Sequence, residues 1–83
     1  MQYIQVKYPE RRQVLMDDVE VGFTRDREGK ECVLEIPEGS HTIRLGGLHD
    51  FLPLAQDVDL SQTSRDNPQR LEFIPATDRI PAP

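Results

Sequence analysis

Residues 31–45 read Glu-Cys-Val-Leu-Glu-Ile-Pro-Glu-Gly-Ser-His-Thr-Ile-Arg-Leu, and this stretch decides the predicted fold. Apolar and polar residues alternate on both sides of the Pro-Glu-Gly-Ser turn at residues 37–40, which is the period of a strand with one buried face. Proline presets φ at the second position of a tight turn, and glycine accepts the positive φ that many turns require. We therefore predict a β-hairpin whose strands are residues 31–36 and 41–45.

Short runs with the same two-residue period recur along the chain and are separated by turn residues. The predicted strands outside the hairpin are residues 2–8, 14–16, 19–23, 57–60 and 70–73. A helix is an alternative for one part of this set, because Leu15, Val19 and Phe23 also share a helical face. We favour two strands joined by a turn at Asp17 and Asp18, since paired acids suit a turn and branched or aromatic side chains suit a sheet.

Six or seven short strands in a chain of 83 residues predict an all-β fold, a small antiparallel β-sandwich of immunoglobulin-like or prealbumin-like type. A chain of this length holds one hydrophobic core, so we expect a single domain over residues 1–75 and a flexible, proline-containing tail over residues 76–83. The predicted core consists of Ile4, Val6, Val14, Val19, Val21, Phe23, Cys32, Leu34, Ile36, Ile43, Leu45, Val58, Leu60, Leu71 and Phe73.

Residues 48–55 are apolar, but Pro53 interrupts the helical face that they would otherwise form. We predict at most one helical turn there. The favoured interpretation is an apolar loop that closes one edge of the sandwich.

Charge and composition exclude several classes of function. The chain has 15 acidic and 10 basic residues, and its net charge of -5 disfavours binding to nucleic acid. The basic pair Arg11 and Arg12 is followed or preceded by acids and is interpreted as part of a solvated loop. The chain contains no run of about 18 apolar residues, so membrane insertion is not expected. It also shows no signal-peptide pattern, so the chain as it stands is expected to be cytoplasmic. A domain excised from a larger protein would leave the compartment open.

Catalysis and metal binding find little support in the sequence, and we expect neither an enzyme nor a cofactor. The nearest nucleophilic set is Ser40, His41, His49 and Asp50, but adjacent residues of a strand point to opposite faces. The histidines and the single cysteine, Cys32, stand at no spacing typical of a metal site.

Aromatic side chains likewise give no sugar-binding platform. The chain has no Trp, and two of its three Phe residues, Phe23 and Phe73, match predicted core positions. Tyr3 and Tyr8 are the two rings expected to be exposed, and they do not share a strand face.

Several segments together resemble the PEGA domain, a family named after the turn that reads Pro-Glu-Gly-Ser here. The resemblance covers about residues 12–75 and rests on the strand at 18–24, the turn and strand at 37–45, an apolar loop with Phe51, and the strand at 58–60. It implies a small β-sandwich that acts as a noncatalytic module, of the kind found in bacterial and archaeal surface or multidomain proteins.

Two functional hypotheses remain. The first is a noncatalytic structural or protein-interaction module, whose partner is another protein or the rest of a larger chain. Its predicted interaction loop consists of His49, Asp50, Phe51 and Leu52. The alternative is a small-ligand or metal binder that uses residues 46–54 together with His41 and His49.

Overall fold

A computed structural model describes residues 1–76, which form nine β-strands. The strands are β1 (Gln2–Lys7), β2 (Gln13–Met16), β3 (Val19–Phe23), β4 (Val33–Ile36), β5 (Gly39–Leu45), β6 (Phe51–Leu52), β7 (Gln56–Leu60), β8 (Gln69–Glu72) and β9 (Ile74–Pro75). These residues contain no helix long and apolar enough to cross a bilayer. The predicted flexible tail at 76–83 lies outside the described residues, except for Ala76, whose N–H donates to the carbonyl of Asp50.

The strands form two main sheets and a small ribbon. One sheet has the order β4-β1-β8, the other has the order β3-β2-β5-β7, and β6 pairs with β9. All pairings between these strands are antiparallel except that of β1 with β8, which is parallel. The buried faces of both main sheets contribute to one hydrophobic core. The prediction of a small all-β sandwich is therefore confirmed, with β6 and β9 as strands that were not predicted.

A two-residue turn joins β2 and β3 and confirms the preference for strands over a helix there. Asp17 and Asp18 have φ values of 51° and 69°. Positive φ at both central residues defines the turn type whose twist matches that of an antiparallel hairpin. The register shifts between Val14 and Leu15, so that Val21 is left without a partner as a β-bulge in β3.

The predicted hairpin around residues 37–40 is wrong, although its turn has the expected backbone. Gly39 adopts a positive φ of 117°. However, β4 pairs with β1, whereas β5 pairs with β2 and β7. Pro37 and Glu38 therefore carry the chain from one sheet to the other. Each strand has its own buried face, and the local turn signal does not specify which neighbours bury it.

The core agrees with the prediction at most positions and differs at a few. Val19 is wrong, because it follows the turn at the sheet edge and is 62% exposed. Val21, Cys32 and Val58 are half-buried against the core. Phe23 is also half-buried, with the Arg11 guanidinium 3.8 Å from its ring centroid.

Two aromatic rings are buried that were not placed in the predicted core. Tyr8 is 2% exposed, so the expectation of an exposed ring was wrong, and Phe51 is 1% exposed. The Phe51 ring makes edge-to-face contacts with Tyr8 and Phe73, at centroid distances of 6.5 and 5.7 Å. Tyr8 continues the alternation of Ile4 and Val6, so its burial follows from the same period as theirs.

Candidate functional site

The structure divides the weak nucleophilic set: Ser40 and His41 line one depression, and His49 lines another. Ser40 is exposed, and the neighbouring His41 hydrogen-bonds to Asp17 and to the carbonyl of Pro37. His49 lies in a different depression and contacts the Phe51 ring edge-to-face at 6.3 Å. Across residues 1–76 no group of three or more His, Cys, Asp or Glu side chains is placed to hold a metal ion.

Arg12 organises the segment that contains the predicted interaction loop. Its Nε and Nη2 donate to the carbonyl of Gly46 at 3.0 and 2.6 Å, and Nη2 also donates to the carbonyl of Leu48 at 2.6 Å. Its Nη1 donates to the Asp50 carboxylate at 2.9 Å. The Arg12 side chain is only 14% exposed, which overturns its interpretation as a solvated loop residue.

The four residues of the predicted interaction loop have very different environments. Phe51 belongs to the core, and Asp50 is paired with Arg12. His49 is exposed, and Leu52 is 48% exposed. Leu52 and Ile74 line a shallow depression with Pro53 and Glu72. The loop therefore offers one apolar side chain and one imidazole to a partner, but not the ring of Phe51.

The four-stranded sheet ends at β7, and the hydrogen-bond register shows which of its backbone groups face outward. The N–H of Asp17 donates to the carbonyl of Thr42, so the backbone N–H and C=O groups of the even-numbered residues of β5 point toward β2. The backbone N–H and C=O groups of His41 and Ile43 therefore point toward β7, where these residues pair with Val58 and Gln56. Because backbone direction alternates in an antiparallel ladder, the N–H and C=O groups of Asp57 and Asp59 lie on the outer edge.

The other outer strands of the two main sheets carry local obstacles to strand addition within the part of the chain that the structure describes. The bulge at Val21 interrupts β3. Next to β4, the N–H of Cys32 donates to the carbonyl of Thr24, so the connection from β3 lies against the residue that precedes this strand. At β8, the outer carbonyl of Glu72 accepts a hydrogen bond from the Gln56 amide at 2.8 Å. By contrast, β7 has none of these obstacles. Residues 56–60 contain no proline and no bulge, and no described side chain caps an outward backbone group of Asp57 or Asp59.

The side chains of β7 give its two faces opposite character. Asp57 and Asp59 are exposed on the outer face, beside Ser40 and Thr42 of β5. The Thr42 hydroxyl donates to the Asp57 carboxylate at 2.8 Å. On the inner face Val58 is half-buried against the core. A shallow depression of about 430 Å³ lies over this end of β5 and β7.

His41 lies beside this edge, and both of its ring nitrogens face oxygen acceptors. Its Nδ1 is 2.8 Å from the Asp17 carboxylate, and its Nε2 is 3.0 Å from the carbonyl of Pro37. Both partners are acceptors, so the ring satisfies both when both of its nitrogens carry a proton. The hydrogen bond to Asp17 is the main cause that raises the pKa of His41, and the same bond lowers the pKa of Asp17.

These features were not all accessible from the sequence. The alternation of Asp57, Val58, Asp59 and Leu60 predicted the strand, but its place at a sheet edge depends on long-range pairing. Comparison with models of protein families, with curated proteins and with solved structures finds no significant match to this chain.

Proposed function

We propose that this chain is a noncatalytic protein-interaction module, and that β7 accepts an extended segment of a partner as an additional strand. The observation that carries the proposal is the unblocked outer edge formed by Asp57 and Asp59. Strand addition uses backbone hydrogen bonds for affinity and the alternating side chains for specificity. The partner is a separate protein or another part of a larger chain.

The placement of the polar residues supports a binding role over catalysis. Ser40 and His41 lie on opposite faces of β5, and His41 and His49 line different depressions. The resemblance of residues 12–75 to the PEGA domain also favours a noncatalytic module. The alternative, a small-ligand or metal site built from residues 46–54 with His41 and His49, receives less support from this arrangement.

Strand addition at β7 would produce a modest affinity. Each backbone hydrogen bond contributes about 1 kcal/mol net in water, and the outward groups of Asp57 and Asp59 can make four such bonds. Association also costs several kcal/mol in lost translational and rotational freedom. Side-chain contacts on the two faces of β7 therefore decide which partners bind.

An NMR titration with synthetic extended peptides tests the proposal. The probes are eight-residue peptides in which valine alternates with lysine, with glutamine or with glutamate. We expect at least one of them to shift the amide resonances of β7 saturably and to slow hydrogen exchange at Asp57 and Asp59. Asp59→Pro removes an outward N–H without touching the bonds to β5, and should weaken that binding. If none of the three peptides perturbs β7, the proposal is wrong.

A further inference from the structure

We infer that the strand added at β7 is basic: it carries Lys or Arg at alternate positions that face Asp57 and Asp59, with apolar residues between them. This inference rests on the proposed function and names the chemistry of the partner. It follows from the charges on the outer face of the edge, from the ion pairs that already exist nearby, and from what pairing between two copies would require.

The carboxylates of Asp57 and Asp59 lie on the same face of β7. They are two residues apart in an extended strand, so they share a face at a separation of about 6.6 Å. A residue directly opposite on an added strand would lie about 5 Å away, and its i+2 neighbour would meet the other aspartate. Lysine or arginine at those two positions reaches both carboxylates, and the residue between them faces the side of Val58.

The cations near this edge are already paired. Arg44 donates to the Asp18 carboxylate at 3.0 and 2.8 Å. His41 is held by Asp17, and its side chain is 12% exposed. Among residues 1–76, neither Asp57 nor Asp59 forms an ion pair. The two carboxylates therefore present uncompensated negative charge on a chain with a net charge of -5.

A second copy of this chain is a poor occupant of the same edge. Two β7 strands paired antiparallel about Val58 would place Asp57 of each copy opposite Asp59 of the other. Like charges directly opposite each other destabilise a strand pair. The carboxylates thus act against self-association through this edge and in favour of a basic partner.

The three peptides of the titration also test this inference, because they differ only in charge. Cross-strand charge pairs contribute up to about 1 kcal/mol each, so two such pairs should make the lysine peptide bind about tenfold more tightly than the glutamine peptide. The glutamate peptide should bind most weakly. Added salt should reduce the preference for lysine, since these carboxylates are exposed to solvent.

Matched variants separate local charge from net charge. Asp57→Asn combined with Asp59→Asn keeps the size of both side chains and an acceptor for the Thr42 hydroxyl. It should lower the affinity of the lysine peptide about tenfold and leave the glutamine peptide unchanged. Glu10→Gln combined with Glu28→Gln changes the net charge equally through two exposed residues outside β7. This control should bind the lysine peptide as the unmodified chain does.

The outcomes distinguish the inference from the proposed function. Equal binding of all three peptides at β7 would overturn the inference and leave strand addition intact. Loss of lysine-peptide binding in the control variant would overturn it too, because net charge alone would then explain the preference. Lysine-peptide shifts confined to residues outside β7 would also overturn it. No perturbation of β7 by any peptide would overturn both.

Discussion

His41 and Asp17 are joined by a hydrogen bond of 2.8 Å between Nδ1 and the carboxylate, which ties strand β5 to the turn of the β2–β3 hairpin. The other oxygen of Asp17 accepts the N–H of Thr42 at 2.9 Å. The second ring nitrogen of His41 faces the carbonyl of Pro37, in the connection between the two sheets. The imidazole of His41 thus links the hairpin turn, β5 and the crossover between the sheets.

This arrangement predicts a specific dependence of stability on pH. The pKa of His41 is raised above the ordinary value of 6.5, chiefly by the hydrogen bond to Asp17. Its stabilising contribution should be fully present below about pH 6.5 and be lost as the pH rises through the raised, folded-state pKa. The pKa of Asp17 is lowered from 3.8, chiefly by the bond from His41, so its contribution is lost as the pH falls through that lowered value.

Urea unfolding at a series of pH values measures this effect. The difference in unfolding midpoint between the unmodified chain and His41→Gln should shrink as the pH rises through the raised pKa of His41. His49→Gln is the matched control, because His49 is exposed, and it should leave the pH profile unchanged. The explanation fails if His41→Gln shows the same loss of stability at alkaline pH as the unmodified chain.

The two aspartates of the hairpin turn should respond differently to glycine. Both have positive φ, which favours glycine over any residue with a side chain. Asp18 is 78% exposed, and its pair with Arg44 is worth at most about 1 kcal/mol. We therefore expect Asp18→Gly to leave the free energy of unfolding nearly unchanged, within about 0.5 kcal/mol.

Asp17→Gly should lower the free energy of unfolding, because it removes the acceptor of both His41 and Thr42. Chemical denaturation of the two variants near pH 6 compares these effects directly. A larger loss of stability in Asp18→Gly than in Asp17→Gly would show that the His41 link contributes little.

The seven longer strands could be predicted from the sequence because nearly every one of them has one buried face. Ile4 and Val6, or Ile43 and Leu45, repeat every second residue, and that period records burial directly. Val19 breaks the rule because it lies at the end of an edge strand, where a residue can keep the period and still face solvent. Local periodicity reports which side of a strand is apolar, not whether another element covers it.

Strand pairing and the candidate edge could not be read in the same way. The turn at residues 37–40 has the chemistry of a hairpin, yet its strands join different sheets. The exposed edge at Asp57 and Asp59 exists only because β7 is last in the order of its sheet. Arg12 looked like a solvated charge because its partners, Gly46 to Asp50, are more than 30 positions away. These features depend on contacts between distant parts of the chain.

Gly22 provides a test of how tightly the two sheets pack. A Cβ atom at this position would lie 2.5 Å from Cδ2 of Leu34 on the opposite sheet. Gly22→Ala should therefore destabilise the fold by about 1–3 kcal/mol through overpacking, in addition to the strain of placing a side chain at its φ of 156°. Leu34→Ala alone should cost about 2–5 kcal/mol, because it leaves a cavity in the core.

The double variant tests the physical reason. With Leu34 truncated, the new methyl group at position 22 has room, so the two changes together should cost less than the sum of the single changes. Urea denaturation of all four proteins gives this coupling energy. Strict additivity would mean that Gly22→Ala acts through the backbone and not through contact with Leu34.

Arg12 should be the polar residue whose loss most affects the fold near the predicted interaction loop. Arg12→Met keeps much of the side-chain volume but removes the donors to the carbonyls of Gly46 and Leu48 and to Asp50. Hydrogen bonds that involve a charged group contribute about 1.5–3 kcal/mol each, and Gly46 is buried. We expect Arg12→Met to lower the free energy of unfolding by about 3 kcal/mol.

Two further variants make this expectation specific. Arg12→Lys keeps the charge but presents a single ammonium group, which cannot reproduce the planar fork of donors, so it should recover only part of the loss. Arg27→Met changes an exposed arginine and should cost less than about 0.5 kcal/mol. Hydrogen exchange at Ala76, whose N–H donates to the carbonyl of Asp50, should accelerate in Arg12→Met and not in Arg27→Met. Equal stability of the methionine variants would mean that the loop is held by the burial of Phe51 alone.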